Sequence, residues 1–129
     1  MSPELFKSRM EYDPRLADLW ALGIIYTCMI SGRFPWAVAH SHNPVFAAYT
    51  EGDKQNHQDS ASSTTEEVSE SWSYPLNIVT VPEARSILHG MLRVEPSNRV
   101  SLSKTLEALL NYNNSRKDSW CTSTETLVR

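Results

Sequence analysis

Between Asp13 and Gly32 the chain carries one uninterrupted helical signal, and nothing else in it limits the fold as strongly. Asp13 followed by Pro14 marks a start: an N-cap carboxylate, then a proline whose fixed φ and missing N–H suit the first turn. Gly32 marks a stop, because glycine enters the left-handed conformation of a helix C-cap at little cost. The spacing predicts a helix over 14–31. Within it Leu16, Leu19, Trp20, Leu22, Ile24, Ile25, Tyr26, Met29 and Ile30 cover every face, the pattern of a helix buried all round and central to whatever it belongs to. One acid, Asp18, interrupts the apolar run 17–30. A carboxylate removed from water needs a neutralising or hydrogen-bonding partner, so this position predicts one. The plainer reading is a solvated carboxylate near the helix start, helped by the helix dipole.

Three further helices follow. Asn43 and Pro44 repeat the start signal, and Phe46, Ala47 and Tyr49 supply a short apolar stripe for a helix over 43–50. Pro82 opens another over 82–93, in which Ala84, Ile87, Leu88, Met91 and Leu92 recur at three- and four-residue steps before Pro96. Ser101 caps a last one over 101–110, with Leu102, Leu106, Leu109 and Leu110 on one face. Residues 51–73 turn to Ser, Thr, Glu, Asp, Gln and His, and such a composition predicts a disordered surface insert. Residues 111–129 read as a polar tail. No stretch alternates convincingly as a strand.

The composition excludes several classes of partner. A net charge of -3 without a Lys/Arg cluster gives no footprint for nucleic acid or an anionic membrane. The run 16–30 is too short, and too acidic at Asp18, to span a bilayer, and the N-terminus has no apolar signal region. The two cysteines, Cys28 and Cys121, are far apart and read as plain thiols of a reducing compartment. A cytoplasmic protein is expected. His40 and His42 form a pair with no adjacent acidic ligand, which reads as two loop histidines and no metal site. The Glu66, Glu67 and Glu70 run with its serines reads as a solvated linker.

Four stretches together carry a family resemblance: SPE at Ser2 to Glu4, DLWALG at Asp18 to Gly23, RFPW at Arg33 to Trp36, and MLRVEPSNR at Met91 to Arg99. In order and approximate spacing they resemble the C-lobe of eukaryotic serine/threonine protein kinases, from the A-P-E motif through the buried central helix to the junction of the last two helices. The stretch from Tyr12 to Trp36 is most similar to fungal kinases of the halotolerance and permease-regulating type. The resemblance implies a mainly α fold, a partial protein-kinase C-lobe over 1–110 with its insert at 51–73, followed by the tail.

The resemblance also assigns roles. Asp18 matches the aspartate that holds backbone amides of the catalytic H-R-D segment, Trp20 and Gly23 complete that motif, and Ile25 and Met29 match positions beneath the column of apolar residues under the adenine. Glu4 matches the A-P-E glutamate and Arg99 the arginine that pairs with it. Without the resemblance those two read as solvated surface charges. No phosphate cradle, nucleotide-binding lysine, H-R-D or D-F-G motif is identifiable in these 129 residues, so no catalytic, cofactor-binding or metal residue is expected here. ATP and magnesium are expected for a full-length parent, with a protein substrate and the rest of the kinase domain as partners. A truncated gene model explains such a chain, and the alternative is a kinase remnant serving as a helical interaction module.

Overall fold

Asp13 starts the first helix as its sequence requires. Its Oδ1 accepts the Arg15 N–H at 2.9 Å, Pro14 follows, and α1 runs Pro14–Ser31. Gly32 ends it at φ 73°, with its N–H on the Cys28 carbonyl. The computed structural model describes residues 1–7, 11–58 and 72–125, with side chains throughout these except at 56–58 and 118–125. The remaining helices are α2 (Pro44–Gln58), α3 (Pro82–Met91) and α4 (Leu102–Glu125). Short 3₁₀ turns occupy Pro3–Phe6, Leu76–Ile78 and Pro96–Asn98, and no strand occurs among the described residues. By its contacts the chain divides into two compact units, Met1–Arg99 and Val100–Arg129.

The core of the first unit is aromatic. Trp36 sits 5.9 Å from Trp20 and 5.1 Å from both Phe46 and Tyr49, ring centre to ring centre, and Leu76, Val79, Ala84, Leu88 and Leu92 close around them. Burying such rings is the largest apolar contribution available to a chain this size. Gly23 lets α3 approach α1 closely, since a Cβ there would stand 2.8 Å from Leu92 Cδ2 and 3.2 Å from Met91 Cβ. That contact explains the glycine in the middle of a helix, where it otherwise costs about 1 kcal/mol relative to alanine.

The structure departs from the sequence reading in four places. Helix α1 is not buried all round: Leu22, Ile25, Met29 and Ile30 are exposed, because α3 and the aromatic cluster cover only its opposite side. Helix α2 continues through residues 51–58, which are therefore helical and not irregular. No proline interrupts there, and Asp53 faces inward at 8% exposure to find buried partners. The rest of the expected insert, residues 59–71, lies outside the described residues. Helix α3 closes at Met91 instead of residue 93, since the Arg93 and Val94 carbonyls turn to accept N–H groups of Arg99.

In the second unit the last helix runs on to Glu125, past the expected end at 110. Ser101 Oγ accepts the Lys104 N–H as its cap, and no glycine or proline follows to break the helix. Arg116 lies 5.8 Å over the Tyr112 ring one turn away, a pairing that residue spacing in a helix permits. Leu102, Leu106 and Leu110 are more than half exposed.

Candidate functional site: two buried ion pairs and an uncovered helix face

The N-terminal turn and the segment after α3 meet at Arg99. Its side chain is fully buried, and its planar fork faces Glu4: Nη1 donates to Oε1 at 2.7 Å and Nη2 to Oε2 at 2.8 Å. A guanidinium has five N–H groups, and all five find acceptors here. Nη1 also donates to the Leu16 carbonyl at 2.9 Å, Nε to the Arg93 carbonyl at 2.9 Å, and Nη2 to the Val94 carbonyl at 3.5 Å. The cation lies 4.9 Å over the ring of Trp20. One side chain thus joins the first residues, α1 and the end of α3. Burial pushes the Glu4 carboxyl up, but the hydrogen bonds and charge of Arg99 outweigh it and hold Glu4 below its ordinary range.

Trp20 and Gly23 fall on the covered side of α1, Trp20 in the aromatic cluster and Gly23 against α3. Asp18 falls on the other side. It is exposed, and among the described residues no side chain or backbone group pairs with it. Asp13, not Asp18, caps the helix. Asp18, Leu22, Ile25 and Met29 are spaced by four, three and four residues, so one carboxylate heads one apolar stripe along a single face. Exposure along the stripe rises from 43% at Leu22 to 55% at Ile25 and 78% at Met29.

A second buried pair escaped the sequence reading. Asp53 Oδ1 stands 3.1 Å from Arg93 Nη1 and 3.2 Å from His89 Nε2, while Oδ2 accepts the Val94 N–H at 3.2 Å. Burial raises the Asp53 carboxyl, and the hydrogen bonds of His89 and Val94 with the charge of Arg93 more than reverse this, leaving it below its usual range. Trp72 packs edge-on against His89 at 4.9 Å, and nearby the Tyr49 hydroxyl donates to the Leu92 carbonyl. The available signal was spacing: Phe46, Tyr49 and Asp53 continue one helical face, so a carboxylate at the third position demanded a cation.

Elsewhere on the unit, Phe34, Pro35, Pro44, Val45, Ala48 and Tyr74 border a shallow apolar groove of about 660 Å³. Among the described residues no three His, Cys, Asp or Glu side chains gather as a metal centre, and no helix is long and apolar enough to cross a membrane.

Most of the chain is similar in sequence to known proteins. Residues 1–110 match the family described as protein kinase domain. The chain is 28% identical over 109 residues to serine/threonine-protein kinase HAL5 of Candida glabrata, covering 84% of this chain and 12% of that protein. It is 30% identical over 125 residues to probable serine/threonine-protein kinase RTK1 of Saccharomyces cerevisiae, covering 95% and 16%. Against serine/threonine-protein kinase ppk8 of Schizosaccharomyces pombe the identity is 29% over 103 residues, covering 80% and 17%. The chain therefore spans about an eighth to a sixth of the length of these relatives. The helical elements, without a strand among the described residues, agree with the C-lobe part of that family.

Proposed function

The chain belongs to the protein kinase domain family, with fungal serine/threonine kinases of the HAL5 type as its relatives, and on that premise we propose that it acts as the C-lobe portion of an ATP-dependent serine/threonine protein kinase. The observation that carries this reading is the α1 face headed by Asp18. An exposed stripe of Leu22, Ile25 and Met29 along a helix whose other side is fully packed is a surface made for further protein. A carboxylate at its head, with both oxygens uncommitted, suits adjacent backbone N–H groups of a docked segment.

In this reading Asp18 accepts from the catalytic loop of the kinase domain, the stripe seats that domain's apolar column, and the tie from Glu4 to Arg99 holds the end of the activation segment to the helical base. The apolar groove beside Phe34 supports docking of a protein substrate. The residues that would hold ATP and magnesium in the parent are not among these 129, and Asp18 touches the reaction only through the loop it positions. Transfer of a phosphoryl group depends on a phosphate cradle and metal-binding carboxylates, so the chain by itself should be inactive.

The test is a fusion in which the preceding kinase-domain residues of the yeast relative RTK1 are joined to Ser2. Magnesium-dependent phosphorylation of a generic protein by the fusion is expected, with none by the chain alone. Asp18→Ala in the fusion should lower the rate at least about tenfold, the size of effect that a misplaced catalytic group produces. Transfer by the purified chain alone, a folded but inactive fusion, or a fusion indifferent to Asp18→Ala would each contradict the assignment.

A further inference from the structure

One nitrogen in the second buried pair has two neighbours that ask opposite things of it. His89 Nε2 lies 3.0 Å from Arg93 Nη1 and 3.2 Å from Asp53 Oδ1, and those two atoms are themselves 3.1 Å apart. A guanidinium can only donate, and an ionised carboxylate can only accept. The contact with Arg93 is therefore a hydrogen bond only when Nε2 carries a lone pair, and the contact with Asp53 only when Nε2 carries a proton. The two bonds exclude each other.

The surroundings make the choice matter. The side chains of His89, Arg93 and Asp53 are 17%, 12% and 8% exposed, so water does little to satisfy a donor or acceptor left over here. Among the described side chains, Asp53 from α2 and Arg93 from the segment after α3 are the charged groups against the ring. Arg85, one turn earlier on α3, donates to the Val79 carbonyl and lies 5.9 Å over the Trp72 ring, which meets His89 edge-on. The Tyr49 hydroxyl is committed to the Leu92 carbonyl. Donation from His89 contributes to holding Asp53 below its ordinary range, and carboxyls titrate at a pH where imidazoles in general carry both protons.

We propose that His89 is a proton-operated switch between Arg93 and Asp53: the neutral ring, with its proton on Nδ1, accepts from Arg93, and the imidazolium donates to Asp53 and releases Arg93. The proton comes from water and adds to Nε2, so one N–H···O bond forms as one N–H···N bond breaks. Two cations 3.0 Å apart repel each other. Asp53 keeps the ring and the Val94 N–H, so the Arg93 side chain is the group that turns outward. Asp53 stays neutralised in both states. What changes is the hold on residue 93, whose carbonyl accepts Arg99 Nε at 2.9 Å, so the switch adjoins the tie from Arg99 to Glu4.

The measurement is a long-range ¹H–¹⁵N correlation spectrum of the histidine rings in the tag-free full chain, at about pH 8.5 and about pH 5, on either side of the range in which imidazoles change charge. His89 is assigned by its loss in His89→Gln. At the higher pH its Nε2 should be bare and its Nδ1 protonated, and at the lower pH both should be protonated. Arg93→Met, which keeps an apolar stem and removes the donor, should move the neutral ring's proton to Nε2. The same variant should unfold at lower urea than the native chain at about pH 8.5, and the loss should be at least about twofold smaller at about pH 5, where the ring has already released the guanidinium. The native spectrum decides the neutral form by itself, so the test stands if Arg93→Met fails to fold. A proton on Nε2 in the native chain at about pH 8.5, an unchanged ring in folded Arg93→Met, or an equal loss at both pH values would overturn the switch.

Discussion

Arg99→Ala should remove about 3–5 kcal/mol from the unfolding free energy of the chain, measured by urea titration of tryptophan fluorescence, because it strands the buried Glu4 carboxylate. The loss has two parts. Glu4 keeps its desolvation but loses the two N–H donors and the charge that outweighed it, and the Leu16, Arg93 and Val94 carbonyls lose donors. Arg99→Lys should recover only a small share, since an ammonium has three N–H groups and no planar fork to match a carboxylate. Glu4→Ala combined with Arg99→Ala should cost less than the sum of the single changes, as expected for directly coupled groups. Unchanged stability in Arg99→Ala would mean that the five acceptors around this side chain contribute nothing, and the tie would have to be abandoned.

Asp53→Ala should cost about 2–3 kcal/mol by the same titration, because it leaves the Val94 N–H without its acceptor and the mostly buried Arg93 without its carboxylate counter-charge. The pH dependence follows from the direction in which the carboxyls are held. Asp53 and Glu4 both lie below their ordinary ranges in the folded chain, so on acidification the unfolded chain takes up protons first. Their contribution is fully present above about pH 4.5, where unfolded carboxylates are ionised, and is lost as pH falls through the lower folded values. Stability should therefore decline on acidification below about pH 4.5, and the decline should be shallower in Asp53→Ala than in the native sequence. A variant with the native acid profile would show that this pair does not titrate with folding.

Different residues were legible in the sequence to different degrees, for physical reasons. Local signals transmitted well: Asp13, Pro14 and Gly32 bounded α1 because capping depends on neighbours within one turn. The meeting of Glu4 with Arg99, residues with 95 positions between their numbers, had no local signal at all and was readable only through the kinase motifs that contain them. Asp53 lay in a stretch whose polar composition suggested disorder, and only its place on the Phe46 and Tyr49 face betrayed it. Composition could not tell that a carboxylate pointed inward toward Arg93. For α1 the apolar count was right and its consequence was not: nine apolar residues on all faces implied neighbours on all sides, yet Leu22, Ile25 and Met29 are 43%, 55% and 78% exposed. The 2.8 Å approach of His40 to His42 depended on loop geometry that an H-x-H spacing does not specify.

The central claim is that the face of α1 carrying Leu22, Ile25 and Met29 seats the rest of a kinase domain, and Met29 reports on it directly. Its side chain is 78% exposed, whereas Met91 at 2% exposure supplies an internal reference from the same unit. Peroxide oxidation of each methionine, followed by peptide mass spectrometry, should be fast at Met29 and slow at Met91 in the chain alone. In the fusion bearing the preceding kinase-domain residues of RTK1, Met29 oxidation should slow at least about tenfold while Met91 is unchanged, since a sulfur covered by packed side chains loses its access to oxidant. Equal rates at Met29 in the chain and in a folded fusion would contradict the account, because the stripe would then remain uncovered in the assembly proposed to cover it.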